Sequence, residues 1–92
     1  MSDASVRQAV REFILTNLLP GEAPETLDDS EPLVTSGVIT SLSLLEIVSF
    51  LEVRFSIELD VHDLGVSRMD SVDLIVDLVI ERAGGAPPQR GG

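Results

Sequence analysis

The chemistry legible in this chain begins at Thr40-Ser41, near the end of the run Ser36-Gly37-Val38-Ile39-Thr40-Ser41-Leu42. A glycine-broken loop leads to a threonine that can cap a helix, and a serine follows in the first turn. A hydroxyl there lies among N–H groups that have no intrahelical partner, at the positive end of the helix dipole, which favours a phosphate. A Thr-Ser pair can equally do no more than start a helix, so its surroundings must decide. Other reactive groups are sparse. His62 is the single histidine, with no second histidine and no cysteine in the chain to work with, and it reads as a loop residue rather than a base or ligand. The absence of cysteine also excludes disulfides and thiolate metal sites. Asp28-Asp29-Ser30-Glu31 lacks the glycine and ligand spacing of a calcium loop and reads as a solvated acidic loop.

A second serine, Ser71 in Met69-Asp70-Ser71-Val72, imitates the first. Asp70 offers a cap, Ser71 a first-turn hydroxyl, and Met69 with Leu74 a hydrophobic staple. The two differ in what surrounds them. Ser41 follows a long connection and heads a helix with an outward line of Leu42, Glu46, Ser49 and Val53. Ser71 follows a short link, and the outer line below it carries Asp73, Asp77 and Glu81, which reads as a wet face.

The elements that position these residues follow from apolar periodicity. Ser2, Asp3 and Ser5 are N-cap candidates for a first helix reaching Leu18 or Leu19, with Val6, Val10, Phe13, Ile14 and Asn17 on one face. Arg7, Arg11 and Glu12 lie off that face and read as solvated. Pro20-Gly21 ends the helix. Residues 20–40 form a polar connection too long for an ordinary helix–helix turn. Leu27, Leu33, Val34 and Val38 are spaced to pin it down, so an ordered crossover is expected, with a turn of helix near residues 30–34.

The second helix is expected from Ser41 to Phe55, capped by Thr40 and stapled by Ile39 and Leu44. Leu44, Ile47, Val48, Leu51 and Phe55 make its core face. Leu42 and Val53 fall on the opposite side, partly exposed, which hints at a partner surface. Asp60 to Gly65 reads as a short helical turn closed by Gly65. The last helix is expected from Asp70 to about Ala83, its core face being Val72, Ile75, Val76, Val79 and Ala83. Residues 84–92 have no apolar periodicity and are expected to form a disordered tail, which leaves 1–83 as the domain.

Composition narrows the function classes. Ninety-two residues suffice for one small domain but leave little room for a walled catalytic cleft. Hydrophobic residues make up 43% and aromatics 3%, so the core must come from Leu, Val and Ile, as in a small helical bundle. A formal net charge of −10 argues against nucleic acid and anionic membranes, and favours a partner with a basic patch. No apolar run approaches a membrane span and the start Met1-Ser2-Asp3 is polar, which points to a cytoplasmic, monomeric protein standing on its own.

With these residues in place, the chain over about residues 4–83 resembles the acyl and peptidyl carrier proteins. The resemblance rests on Pro32-Leu33-Val34-Thr35-Ser36-Gly37-Val38-Ile39-Thr40-Ser41-Leu42, on Leu44-Leu45-Glu46-Ile47-Val48-Ser49-Phe50-Leu51-Glu52, and on Phe55-Ser56-Ile57-Glu58-Leu59. Met69-Asp70-Ser71-Val72 is similar to the start of that family's last helix, which sets Ser71 further aside. The resemblance implies an all-α, four-helix acyl-carrier-like bundle: three main helices, a short third helix, and a long ordered loop between helices I and II. It implies that Ser41 carries a covalent 4′-phosphopantetheine arm, transferred from coenzyme A by a Mg²⁺-dependent phosphopantetheinyl transferase. Acyl or aminoacyl intermediates would then be held as thioesters and presented to loading and downstream enzymes of fatty acid, polyketide or nonribosomal-peptide-type biosynthesis. The chain would be a tethered substrate rather than an enzyme, with Thr40, Leu42, Glu46, Ser49 and Val53 as the docking surface.

The chain departs from the family pattern at Thr40, where an aspartate is usual, and in having a helix II that is only modestly acidic. Threonine keeps the capping oxygen and loses a charge that helps engage a cationic transferase. Two other readings compete. One is an acidic helical adaptor that docks a partner through helix II with Ser41 unmodified. The other is a serine hydrolase, which needs a base and an oxyanion site that the lone His62 does not supply.

Overall fold

A computed structural model of the chain describes residues 2–84. The first helix, α1 (Asp3–Asn17), opens where the Ser2 hydroxyl accepts the N–H of Ser5 at 3.2 Å, so Ser2 is the cap among the three candidates. Val6, Ala9, Val10 and Ile14 are buried at the spacing of one helical face. Phe13 lies half-buried at its edge, whereas Asn17 is exposed and bonds back to the Phe13 carbonyl at 3.0 Å. Past Pro20 the chain turns through Gly21, whose φ of +90° suits a residue without a Cβ.

The crossover is ordered and Leu27, Leu33 and Ile39 bury it at three points, with Val34 and Val38 half-buried. Its one helical turn is a 3₁₀ turn at Pro24–Thr26 and not, as expected, near residues 30–34. The reason is where the backbone donors go. Pro24 presets the first turn position, whereas Pro32 has no N–H and the amides of Leu33, Val34 and Thr35 bond to Asp70 instead of to each other's turn. Arg7 and Arg11, expected to be solvated, are the crossover's fasteners. Arg7 bonds Asp3 at 3.0 Å, Asp29 at 3.0 Å and Asp73 at 2.5 Å. Arg11 reaches the carbonyls of Leu27 at 2.7 Å and Pro24 at 2.6 Å and also pairs with Asp29. The acidic loop is likewise bonded rather than bare: Asp28 accepts the N–H and hydroxyl of Ser30, both at 2.9 Å, and Glu31 accepts the N–H of Asp28 at 2.7 Å.

Helix α2 spans Ser41–Phe55, with the expected bounds. Ile47, Leu51 and Phe55 are buried and Leu44 and Val48 half-buried, so the core face stands where the periodicity placed it. It ends at Ser56, a non-glycine residue held at φ 56°, and Glu52 then accepts the N–H of Leu59 at 2.9 Å, tying the connection back. No strand occurs among the described residues.

Next comes a 3₁₀ turn at Val61–Leu64, started by a reciprocal capping box between Asp60 and Asp63. Gly65 closes it, as expected. It is extended (φ −83°, ψ 169°) and leads into a one-turn helix, α3 (Val66–Met69). The last helix, α4 (Val72–Ala83), begins two residues later than expected because Ser71, not Asp70, is its cap: its hydroxyl accepts the N–H of Leu74 at 3.1 Å. Leu78 joins Val72, Ile75, Val76 and Val79 in the core, so α4 is buried around much of its circumference, while Ala83 is half-buried. The helix closes at Gly84, whose N–H bonds the Ile80 carbonyl at 2.7 Å; a Cβ there would approach that oxygen to the same distance. The tail expected beyond it falls, from residue 85 on, outside the described residues.

The result is an all-helical bundle in which α1 lies along α4 and α2 closes the core with Ile47, Leu51 and Phe55. The three phenylalanines form one cluster at its edge: Phe13 of α1 stacks on Phe50 of α2 at 4.4 Å, and Phe50 meets Phe55 edge-on at 6.4 Å. An ion pair on a buried carboxylate adds a further tie. Asp63, 3% exposed, receives Arg82 Nη2 at 2.7 Å and Nε at 3.1 Å.

Candidate functional site

The loop before α2 is built as a closed turn. Ile39 donates to the Leu33 carbonyl at 2.9 Å and Gly37 to that of Val34 at 3.1 Å, so both ends of the turn sit on buried side chains, Leu33 and Ile39. Gly37 makes the reversal at φ +91°, where a side chain is strained. From Ile39 the chain passes through extended Thr40 (φ −92°, ψ 177°) directly into α2.

Thr40 acts as the cap. Its Oγ1 accepts the N–H of Ser43 at 3.2 Å and lies 3.1 Å from the Ser43 hydroxyl, and its carbonyl accepts the N–H of Leu44 at 2.8 Å. The N–H groups of Ser41 and Leu42 have no protein partner among the described hydrogen bonds. Ser41 is exposed, and its hydroxyl too has no protein partner among them. An anion at this position would meet unpaired donors and the helix dipole together.

Ser71 is a different kind of residue. It is 7% exposed and its hydroxyl is committed to Leu74, so it holds a helix end and presents nothing to a partner. The line below it is the wet face expected, with Asp77 and Glu81 exposed and Asp73 half-buried, though two of the three are also paired: Asp73 binds Arg7, and Glu81 binds Arg68 at 2.9 Å and Arg82 at 3.2 Å. His62 stands exposed on its turn with Nδ1 3.3 Å from Asp60 Oδ1. Among the described residues no three His, Cys, Asp or Glu side chains are grouped to hold a metal ion, and no helix is long and apolar enough to cross a membrane.

The outward line of α2 is more apolar than the sequence reading made it. Leu42 is 71% and Val53 83% exposed, and with Glu46 and Ser49 they line an open groove completed by Leu45, Phe50 and Arg54 of α2 and by Phe13 and Asn17 of α1. Thr40 is not part of the groove. Leu45 and Phe50 were findable, since on a helical wheel they fall within a quarter turn of the Leu42 line. Phe13 was read as core, and only the α1–α2 stacking puts its edge at the surface.

Asp70 is the residue that sequence reasoning misplaced. Its Oδ1 accepts the N–H groups of Leu33 at 3.1 Å, Val34 at 2.8 Å and Thr35 at 2.9 Å, and its Oδ2 the Thr35 hydroxyl at 2.9 Å. The donors from Thr35, then those from Val34 and Leu33, hold its carboxyl below the ordinary carboxylate range against the cost of desolvation. Its own carbonyl accepts the Leu33 N–H at 2.6 Å. No local pattern announces this arrangement.

No family model matches this chain, and no curated protein matches it.

Proposed function

We propose that this chain is a carrier protein that bears a 4′-phosphopantetheine arm on Ser41 and presents acyl or aminoacyl cargo to partner enzymes. The observation that carries the reading is the contrast between the two serines. Ser41 is exposed and uncommitted at the start of a capped, fifteen-residue helix, whereas Ser71 is buried and spent on a cap. The attachment site fits the group in kind: a free hydroxyl to esterify, unpaired Ser41 and Leu42 amides beside it for a phosphate, and an apolar groove running from Leu42. When bound, the arm supplies the thiol that this cysteine-free chain lacks. The chain's own part is to hold the hydroxyl outward in a fixed first turn and to offer a docking face. In this reading the base and the Mg²⁺ are the transferase's. Leu42, Glu46, Ser49 and Val53 are the docking residues of this proposal, with Thr40 at its upper edge.

The groove favours a second reading. Exposed Leu42, Leu45 and Val53 also suit an adaptor that grips an apolar partner surface with Ser41 never modified. One experiment separates the two. Intact mass is measured after incubation with coenzyme A, Mg²⁺ and a broad-specificity phosphopantetheinyl transferase, for the native chain, Ser41→Ala and Ser71→Ala. The carrier reading expects one phosphopantetheine in the native chain and in Ser71→Ala, and none in Ser41→Ala. Loss only in Ser71→Ala moves the site to Ser71. No gain with this transferase or with a cognate one leaves the adaptor reading in place.

A further inference from the structure

We propose that Asp70 is a positioning residue for Ser41: its carboxylate fixes the Leu33–Ile39 turn and thereby the direction in which the α2 N-terminus presents the serine hydroxyl. The inference rests on the carrier reading for its catalytic consequence but not for its geometry. One oxygen of Asp70 collects three consecutive backbone N–H groups from a segment 35 to 37 residues away in the chain. The other oxygen holds the Thr35 hydroxyl. From that clamp the path to the serine is short and has little slack. The Leu33 carbonyl accepts the Ile39 N–H at 2.9 Å, Ile39 is 3% exposed, and Thr40 and Ser41 follow at once.

Beyond the Gly37 N–H bond to the Val34 carbonyl at 3.1 Å, the tip of the turn has little else to hold it. Thr35, Ser36 and Gly37 are exposed, and the Ser36 hydroxyl makes only a long 3.4 Å contact to Leu33 O. Asp70 itself is anchored, because it follows fully buried Met69, ends α3, and precedes Ser71, the cap of α4. The turn before Ser41 is therefore referenced to the α3–α4 corner at two points of one residue: the Asp70 carbonyl holds only Leu33, at 2.6 Å, and the carboxylate alone reaches Val34 and Thr35. A purely structural cap needs only to satisfy stray N–H groups. This one sets the register between a reactive hydroxyl and the rest of the bundle. A docked transferase that grips α2 and the bundle together depends on that register.

The test compares Asp70→Ala, Asp70→Asn and Thr35→Val in the full chain, by steady-state modification of Ser41 and by backbone amide signals. Asparagine keeps an oxygen that can accept the three N–H groups, and Thr35→Val removes only the outer bond. Positioning predicts that kcat for modification drops about tenfold in Asp70→Ala with KM nearly unchanged, because the docking face on α2 is untouched. Asp70→Asn recovers most of the loss, and Thr35→Val shows the smallest. The amide signals of Ser41, Leu42 and Ser43 move in the same order. A folded Asp70→Ala chain that is modified at the native kcat, or whose Ser41 to Ser43 signals stay in place, overturns the proposal and makes Asp70 a stabilising cap only. If Asp70→Ala does not fold, the other two variants decide, and unmoved Ser41 to Ser43 signals in both overturn it. If the native chain is not modified by any transferase, the carrier reading fails by itself and the amide signals still settle the positioning.

Discussion

Thr40 caps α2 without carrying a charge. Its hydroxyl oxygen caps the Ser43 N–H at 3.2 Å. Thr40→Ala removes that acceptor and should lower stability by about 1 kcal/mol, measured by urea unfolding, with faster amide exchange across Ser41 to Leu44. Thr40→Asp keeps a capping oxygen and adds a charge that suits the helix N-terminus, so it should be at least as stable as the native chain. Under the carrier reading it should also be modified faster. A Thr40→Asp chain modified more slowly would mean that the transferase reads the threonine itself. At this scale the sequence was informative where bonding is local. The Thr40 cap and the Leu42-Glu46-Ser49-Val53 line follow from offsets of three and four along one helix. Arg7 with Asp73 and Asp70 with Thr35 join residues 66 and 35 apart, and no offset rule reaches them.

Among the elements, α1 and α2 were legible because their apolar positions repeat at the helical period and polar caps flank them. The stretch from Asp60 to Ser71 was read less well. Short turns there compete for the same capping side chains, and the loop's unpaired amides took Asp70 and left Ser71 to start α4. The crossover is pinned by leucines and valines, as expected, and arginine side chains fasten it as well. Arg11 shows this best, holding the Pro24 and Leu27 carbonyls and Asp29 with one guanidinium. Arg11→Ala should free the 3₁₀ turn at Pro24–Thr26 while Leu27 keeps its burial. The expected cost is about 1–2 kcal/mol, since the guanidinium is partly exposed and water replaces some of its bonds. Amide exchange should rise across residues 24–29 and stay native in α2. A rise that spread into Ser41 to Ser43 would show the crossover to be one cooperative unit with the serine loop.

At the scale of the whole molecule the governing fact is a net charge of −10 in a chain whose apolar core is supplemented by arginine–carboxylate pairs. Two effects then act in opposite directions as the pH falls. Neutralising surplus carboxylates toward the sequence pI of about 4.2 relieves self-repulsion and favours the folded state. Protonating carboxylates that the fold uses does the reverse. Burial pushes the Asp63 carboxyl up, but Arg82, the Asp60 N–H and the nearby Arg68 charge outweigh it and hold it below the ordinary value; Asp70 is held low as well, by the loop amides. A carboxyl whose pKa is lower folded than unfolded stabilises fully above the unfolded value, about 3.9, and loses that contribution as the pH falls through its folded value. Stability from urea unfolding should therefore hold or rise from pH 7 to about 5 and fall steeply below 4. Asp63→Asn tests the assignment. Breaking a pair in which Asp63 is buried and Arg82 is about a third exposed should cost about 2 kcal/mol at pH 7. Because asparagine has no proton to bind, the gap between variant and native chain should close as the pH falls below about 4. Parallel curves over that range would mean that the Asp63–Arg82 pair does not govern acid unfolding, and the loop carboxylate at Asp70 would be the next to substitute.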